Sequence, residues 1–198
     1  LEGQALFNVA RDPARPFVVT SGNTRVRAVG TQFDVYKKQG GTVVTVVEGR
    51  VVIGGSLAAG RARRQPLAVG ELRVPVSPED GEVLRRTGSA EILLTAGSQV
   101  VVTDATIQKP VRPNVTGAIA WRQRRLIFES ASLVEVAEEF NRYNTRQLVI
   151  QDPTLHAFNI SGVFSSTDPA SLIRFLRERP EVQVIETPTE IRVTKNTR

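Results

Sequence analysis

Residues 25–36 read RVRAVGTQFDVY, and their alternation decides the fold of the first half of the chain. Val26 and Ala28 fall on one side of an extended backbone, with Arg25 and Arg27 on the other; Phe33 and Val35 repeat the pattern. A period of two marks a half-buried strand, because successive side chains point to opposite faces of the pleat. Residues 43–47 and 50–53 follow, rich in β-branched side chains that suit a pleated, packed surface. Outward from this centre, residues 5–9, 17–20, 71–74, 90–95 and 99–103 carry further strand patterns. Ser21-Gly22-Asn23, Gly40-Gly41 and Glu48-Gly49 stand where hairpin turns are needed. Residues 54–64 and 77–86 are small, basic or polar and read as loops. No helical periodicity precedes residue 105, so residues 1–105 are expected to form an all-β module.

The pattern changes after residues 106–118, a stretch with Pro110, Pro113 and Gly117 that reads as a linker. Residues 126–128 form a short strand, and Ser132 then precedes Leu133, Val136, Ala137, Phe140 and Tyr143. That spacing lays one apolar stripe along a helix. Glu135 lies three residues after Ser132, the arrangement in which side chain and backbone cap each other reciprocally. Residues 148–150 give a strand, and residues 158–163 start the pattern again. Asp168 is placed as the next cap, with Pro169 in the first turn and Leu172, Ile173, Phe175 and Leu176 as the apolar face. Residues 182–186 and 191–194 close the chain as strands around Pro188. The order is β-α-β, β-α-β, β: a doubled βαβ, predicting an α+β domain over residues 119–198 with both helices on one face of a small sheet.

Composition narrows the function. No apolar run approaches the roughly 18 residues of a membrane-spanning helix. The chain lacks a signal peptide and any methionine, and it reads as an excised piece with its anchor and targeting segments outside it. Cysteine is absent, which removes disulfides, thiolate metal sites and cysteine nucleophiles. The net charge of +6 invites nucleic acid, but the arginines are dispersed and aromatics make up only 6%, too few for a base-stacking platform. The basic residues are therefore read as solvated surface, with no nucleic-acid partner.

Nor does the chain supply a catalytic inventory. One histidine, His156, cannot build the usual zinc sets without cysteine, and no G-x-S-x-G elbow accompanies it. The acidic pairs Glu138-Glu139 and Glu79-Asp80 suit solvated surface, and no glycine-rich phosphate loop is present. No enzyme activity, cofactor or metal is expected.

Four stretches in order carry a resemblance: LEGQALFNV at residues 1–9, RPFVV at 15–19, VRAVGTQFDV at 26–35 and VEGRV at 47–51. They resemble the FecR domain, with Gln4 where an acid is commoner. Gly30 and Gly49 fall where strands turn or approach closely. The second half is similar to the module that follows in FecR-like proteins. AWRQRRLIF at residues 120–128 resembles its opening A-W-x-x-G-x-L-x-F, with Arg124 in place of Gly. Asn141 and Tyr143 match an N-R-Y motif, and Gly162 matches G-x-F. That module resembles the short N-terminal domain of secretins and TonB-dependent transporters. Residues 54–89 lie outside the match and look like an insertion. The match begins inside the FecR domain, whose first strands are expected to precede Leu1.

The resemblance implies the periplasmic part of a single-pass inner-membrane regulator. Such a part binds the signalling domain of a TonB-dependent outer-membrane transporter and reports nutrient occupancy, a ferric siderophore for example. A cytoplasmic segment absent here would reach an extracytoplasmic-function sigma factor. Two other roles stand beside it: an assembly module contacting a secretin or export machine, and a polyanion binder. Binding is expected at exposed sheet edges or on the surface between the two modules; the preferred mode is strand addition along residues 182–186 or 191–194, with Val182, Val184, Ile191 and Val193 as the residues concerned. Trp121 is either a partner-facing anchor or, the favoured reading, a residue that pins the linker to the second module.

Overall fold

The structure is a computed structural model and describes residues 1–55, 83–86 and 89–196. The chain divides into two compact units, Leu1–Val115 and Thr116–Arg198.

The first unit is a β-sandwich. One sheet has the order β1-β4-β5-β9, with β1 Gln4–Asn8, β4 Gln32–Lys38, β5 Gly41–Glu48 and β9 Gln99–Val102. The other runs β2-β3-β6-β8-β7, with β2 Phe17–Ser21, β3 Thr24–Ala28, β6 Arg50–Gly55, β7 Val83–Arg86 and β8 Ser89–Thr95. All pairs in both sheets are antiparallel. Val26 and Ala28 from one sheet and Phe33 and Val35 from the other are almost completely buried in a shared core, as their alternation requires. Face-to-face packing of this kind buries the inward set of each sheet and leaves the other set outside.

Three sequence expectations change here. Glu48-Gly49 is not a hairpin turn, because β5 and β6 belong to different sheets. The chain crosses from sheet to sheet at Gly49, as it does at Gly30 between β3 and β4. Gly30 and Gly49 have left-handed φ of +69° and +82° respectively, and a Cβ on Gly49 would lie 3.0 Å from the Gly30 carbonyl. Thr31 joins the two crossings, its hydroxyl donating to the Arg50 carbonyl at 2.8 Å. Val83–Arg86, read as part of a loop, is strand β7, and Gly54 and Gly55 still belong to β6. Residues 56–64, 71–74 and 77–82 lie outside the described residues. The stretch read as a linker is partly built into the fold, since residues 107 and 111 bridge to β9 and Val115–Ala118 forms a short helix, α1.

The second unit comprises β10 Arg125–Ser132, α2 Leu133–Asn141, β11 Gln147–Ile150, β12 Asn159–Ser165, α3 Ala170–Arg177, β13 Val182–Glu186 and β14 Glu190–Lys195. The order of elements agrees with the sequence reading, but the single sheet does not. β10 and β12 form a two-stranded antiparallel sheet, while β11, β14 and β13 form a three-stranded one with β14 in the middle. α2 packs on β10, β12 and β11, and α3 on β12 and β13, so each helix touches both sheets. Periodicity fixed which face each strand buries; it carried no information about the neighbour across a helix.

Candidate functional site

The three-stranded sheet is where strand addition was expected, and its order corrects half of that expectation. β14 pairs with β11 on one side and β13 on the other, so Ile191 and Val193 lie on a central strand with no open edge. β13 pairs with β14 alone among the described strands. Val182, Ile191 and Val193 are buried and Val184 is half-buried, all within the core of the unit. Their side chains pack into the core that joins the sheet to its helices. What β13 presents outward is Gln183 and Ile185, the latter 43% exposed.

At the end of β13 sits a charge cluster. Arg146 donates to Glu186 at 2.7 Å, and Arg177 of α3 donates to the other carboxylate oxygen at 2.8 Å. One carboxylate thus ties the start of β11, α3 and β13 together. The hydrogen bond from Arg146, aided by the charge of Arg177, holds the Glu186 carboxyl below the ordinary glutamate value. A depression of about 540 Å³ beside it is lined by Arg146, Asp168, Ile173, Arg174, Arg177 and Glu186, among others. Glu178 completes the lining, so three arginines face three carboxylates and neither sign of ligand is favoured. This cluster is not legible from residue spacing, because its members lie 40 and 9 residues apart.

The motif residues are structural in their contacts. Ser132 caps α2 as its spacing predicts: Glu135 N–H donates to its hydroxyl at 3.3 Å, and Ser132 N–H donates to the Glu135 carboxylate at 2.8 Å. Asn141 stitches the end of α2 to β11, its amide nitrogen donating to the Leu148 carbonyl at 3.0 Å and its oxygen accepting from Leu148 N–H at 2.6 Å. Tyr143 packs against the core, with the Arg142 guanidinium 5.2 Å from its ring centre. Gly162 lies under the Phe164 ring, where a Cβ would meet ring carbons at 3.0 Å. Trp121 is half-buried in a 3-10 turn, Ala120–Gln123. Arg124 closes that turn with φ 57° and ψ 34°. The position for which the resemblance supplies Gly is therefore left-handed, a conformation that costs a non-glycine residue about 1–2 kcal/mol. The cap Asp168 sits one residue earlier than expected: α3 begins at Ala170 with Pro169 before it, and Ala170 N–H still donates to the Asp168 carboxylate at 3.0 Å.

Among the described residues, no group of three or more His, Asp and Glu is placed to hold a metal ion. His156 is exposed after the 3-10 turn Pro153–Leu155. No helix among them is long and apolar enough to cross a membrane.

Residues 1–52 match the family model described as FecR protein. No curated protein matches the chain. Among solved structures, two crystal structures of a candidate anti-sigma factor from Parabacteroides distasonis are similar. One has 19% identity and a TM-score of 0.70 over 99% of this chain and 79% of that one. The other has 20% identity and a TM-score of 0.69 over 99% and 78%. The chain is thus FecR-like over residues 1–52, and over nearly its whole length it shares the fold of that candidate anti-sigma factor.

Proposed function

We propose that this chain is the periplasmic sensor part of a membrane-anchored FecR-like regulator that acts by binding proteins and catalyses no reaction. The observation that carries the reading is the FecR match over residues 1–52, which spans both glycine crossings of the sandwich. The fold shared with a candidate anti-sigma factor supports it. In this reading residues 1–105 form the FecR domain, residues 106–118 connect it onward, and residues 119–198 resemble the short N-terminal domain of secretins and TonB-dependent transporters. The partner is the signalling domain of a TonB-dependent transporter, and the output is an extracytoplasmic-function sigma factor reached through a cytoplasmic segment. Strand addition along β13 is the binding mode, through its backbone and the outward Gln183 and Ile185.

The test is capture from the source cell's envelope with this chain as bait, followed by calorimetry with the captured domain. A transporter bound through its N-terminal extension, with affinity weakened at least about tenfold by Ile185→Glu, is the expected result. Capture of a secretin alone would replace the signalling role with an assembly role. Binding only to polyanions, lost steeply as salt rises, would overturn both.

A further inference from the structure

Residues 106–111 double back along the outer side of β9. Thr103 N–H donates to Thr106 O at 2.9 Å and Gln108 N–H to Val101 O at 2.9 Å, while Gln99 and Val111 exchange both bonds at 2.8 Å. Val102 pairs with Ile107 and Gln99 with Val111, so the register slips by one residue between the two bridges. The extra residue falls at Lys109-Pro110, where proline has no N–H to leave unpaired. The fastening is uneven along the segment. Ile107, next to the turn, packs against the core of the sandwich, whereas Val111 at the far end is 56% exposed.

We propose that residues 106–111 are a peelable strap, which closes the β9 edge when docked and releases from its Val111 end inward without unfolding the sheet beneath. Three features make it separable. It joins the sheet through isolated bridges instead of a continuous ladder, it has one apolar anchor, and its open end lies furthest from the turn. Exposed backbone bonds with little apolar cover open at a free energy well below that of global unfolding. Docked, the strap covers an edge that would otherwise be a template for stray strand pairing. Peeled, its six residues add up to about 20 Å to the chain available before residue 116. The strap belongs to the first unit and does not depend on which partner the protein binds.

Amide hydrogen exchange on the whole chain tests this. The amides of Gln99, Gln108 and Val111 should exchange at least about tenfold faster than those of β4 and β5, with rates insensitive to low denaturant. Val111→Pro removes one strap bond at an exposed position, and should speed Gln99 and Gln108 by about tenfold while β4 and β5 stay unchanged. Ile107→Ala should speed them further, again without the sheet. Strap amides that exchange in step with β4 and β5, or that do not respond to Val111→Pro, would overturn the proposal.

Discussion

The two units solve the same problem with different side chains. Among the described residues, eight of the thirteen buried apolar residues in the sandwich's core cluster are valine; in the second unit three of fifteen are valine and six are leucine. Valine is stiff at χ1 and covers the face of a sheet well, so two sheets can close on each other with short side chains. A helix layer between sheets must fill deeper gaps, and leucine reaches across them at little cost to helix propensity. The difference also shows in the glycines. The first unit has left-handed glycines where its chain crosses at Gly30 and Gly49; in the second, a Cβ on Gly162 would crowd the Phe164 ring at 3.0 Å.

The largest effect should come from the helix layer. Phe140→Ala empties a fully buried site in α2 and should cost about 3–5 kcal/mol. Scanning calorimetry should then show the transition of the second unit lowered with that of the sandwich in place; one merged transition that shifts as a whole would mean the two cores unfold together. Next is Gly30→Ala. Its Cβ would lie 2.8 Å from Arg11 Cβ at a left-handed φ, a loss of about 2 kcal/mol in chemical denaturation. Equal stability would show that the crossing tolerates a side chain and that its glycine is not a geometric need.

Ser132→Ala should lower stability by about 1 kcal/mol and leave partner affinity unchanged, since it removes only the reciprocal cap of α2. Arg124→Gly goes the other way. Relief of the left-handed strain, less the entropy that glycine adds to the unfolded chain, should raise stability by about 0.5–1 kcal/mol. An unchanged melting temperature would show that contacts of the arginine side chain offset the strain.

The smallest effect is a pH dependence. Because the Glu186 carboxyl is lowered in the folded state, its ion pairs stabilise fully above the ordinary value of 4.5. That contribution fades as pH falls through the lowered folded value. Glu186→Gln should therefore narrow the gap in melting temperature between pH 6 and pH 3; an unaltered gap would assign the acid sensitivity to other carboxylates.

Much of this fold was legible without coordinates. Residues 25–36 declared their strands by alternation, and Ser132 with Glu135 placed the start of α2 to the residue. Both are local: a strand's buried face and a helix cap are set within a few residues, where side-chain direction and unpaired N–H groups are fixed by the backbone alone. Strand partners were not legible. Gly49 looked like a hairpin turn because a glycine between two β-branched runs reads the same whether the chain reverses or changes sheet. The burial of β14 between β11 and β13, the clamp of Arg146 and Arg177 on Glu186, and the strap on β9 all join residues whose spacing carries no signal. The sequence alone determined the strands that alternate and the helix that is capped, with the face each buries, since those follow from chirality, pleat and hydrophobic period; β7 and the strap, which carry no such period, stayed outside its reach. Only the tertiary structure decided which edges are covered and which charges meet, because pairing across a sheet or a helix layer is chosen by the packing of the whole core.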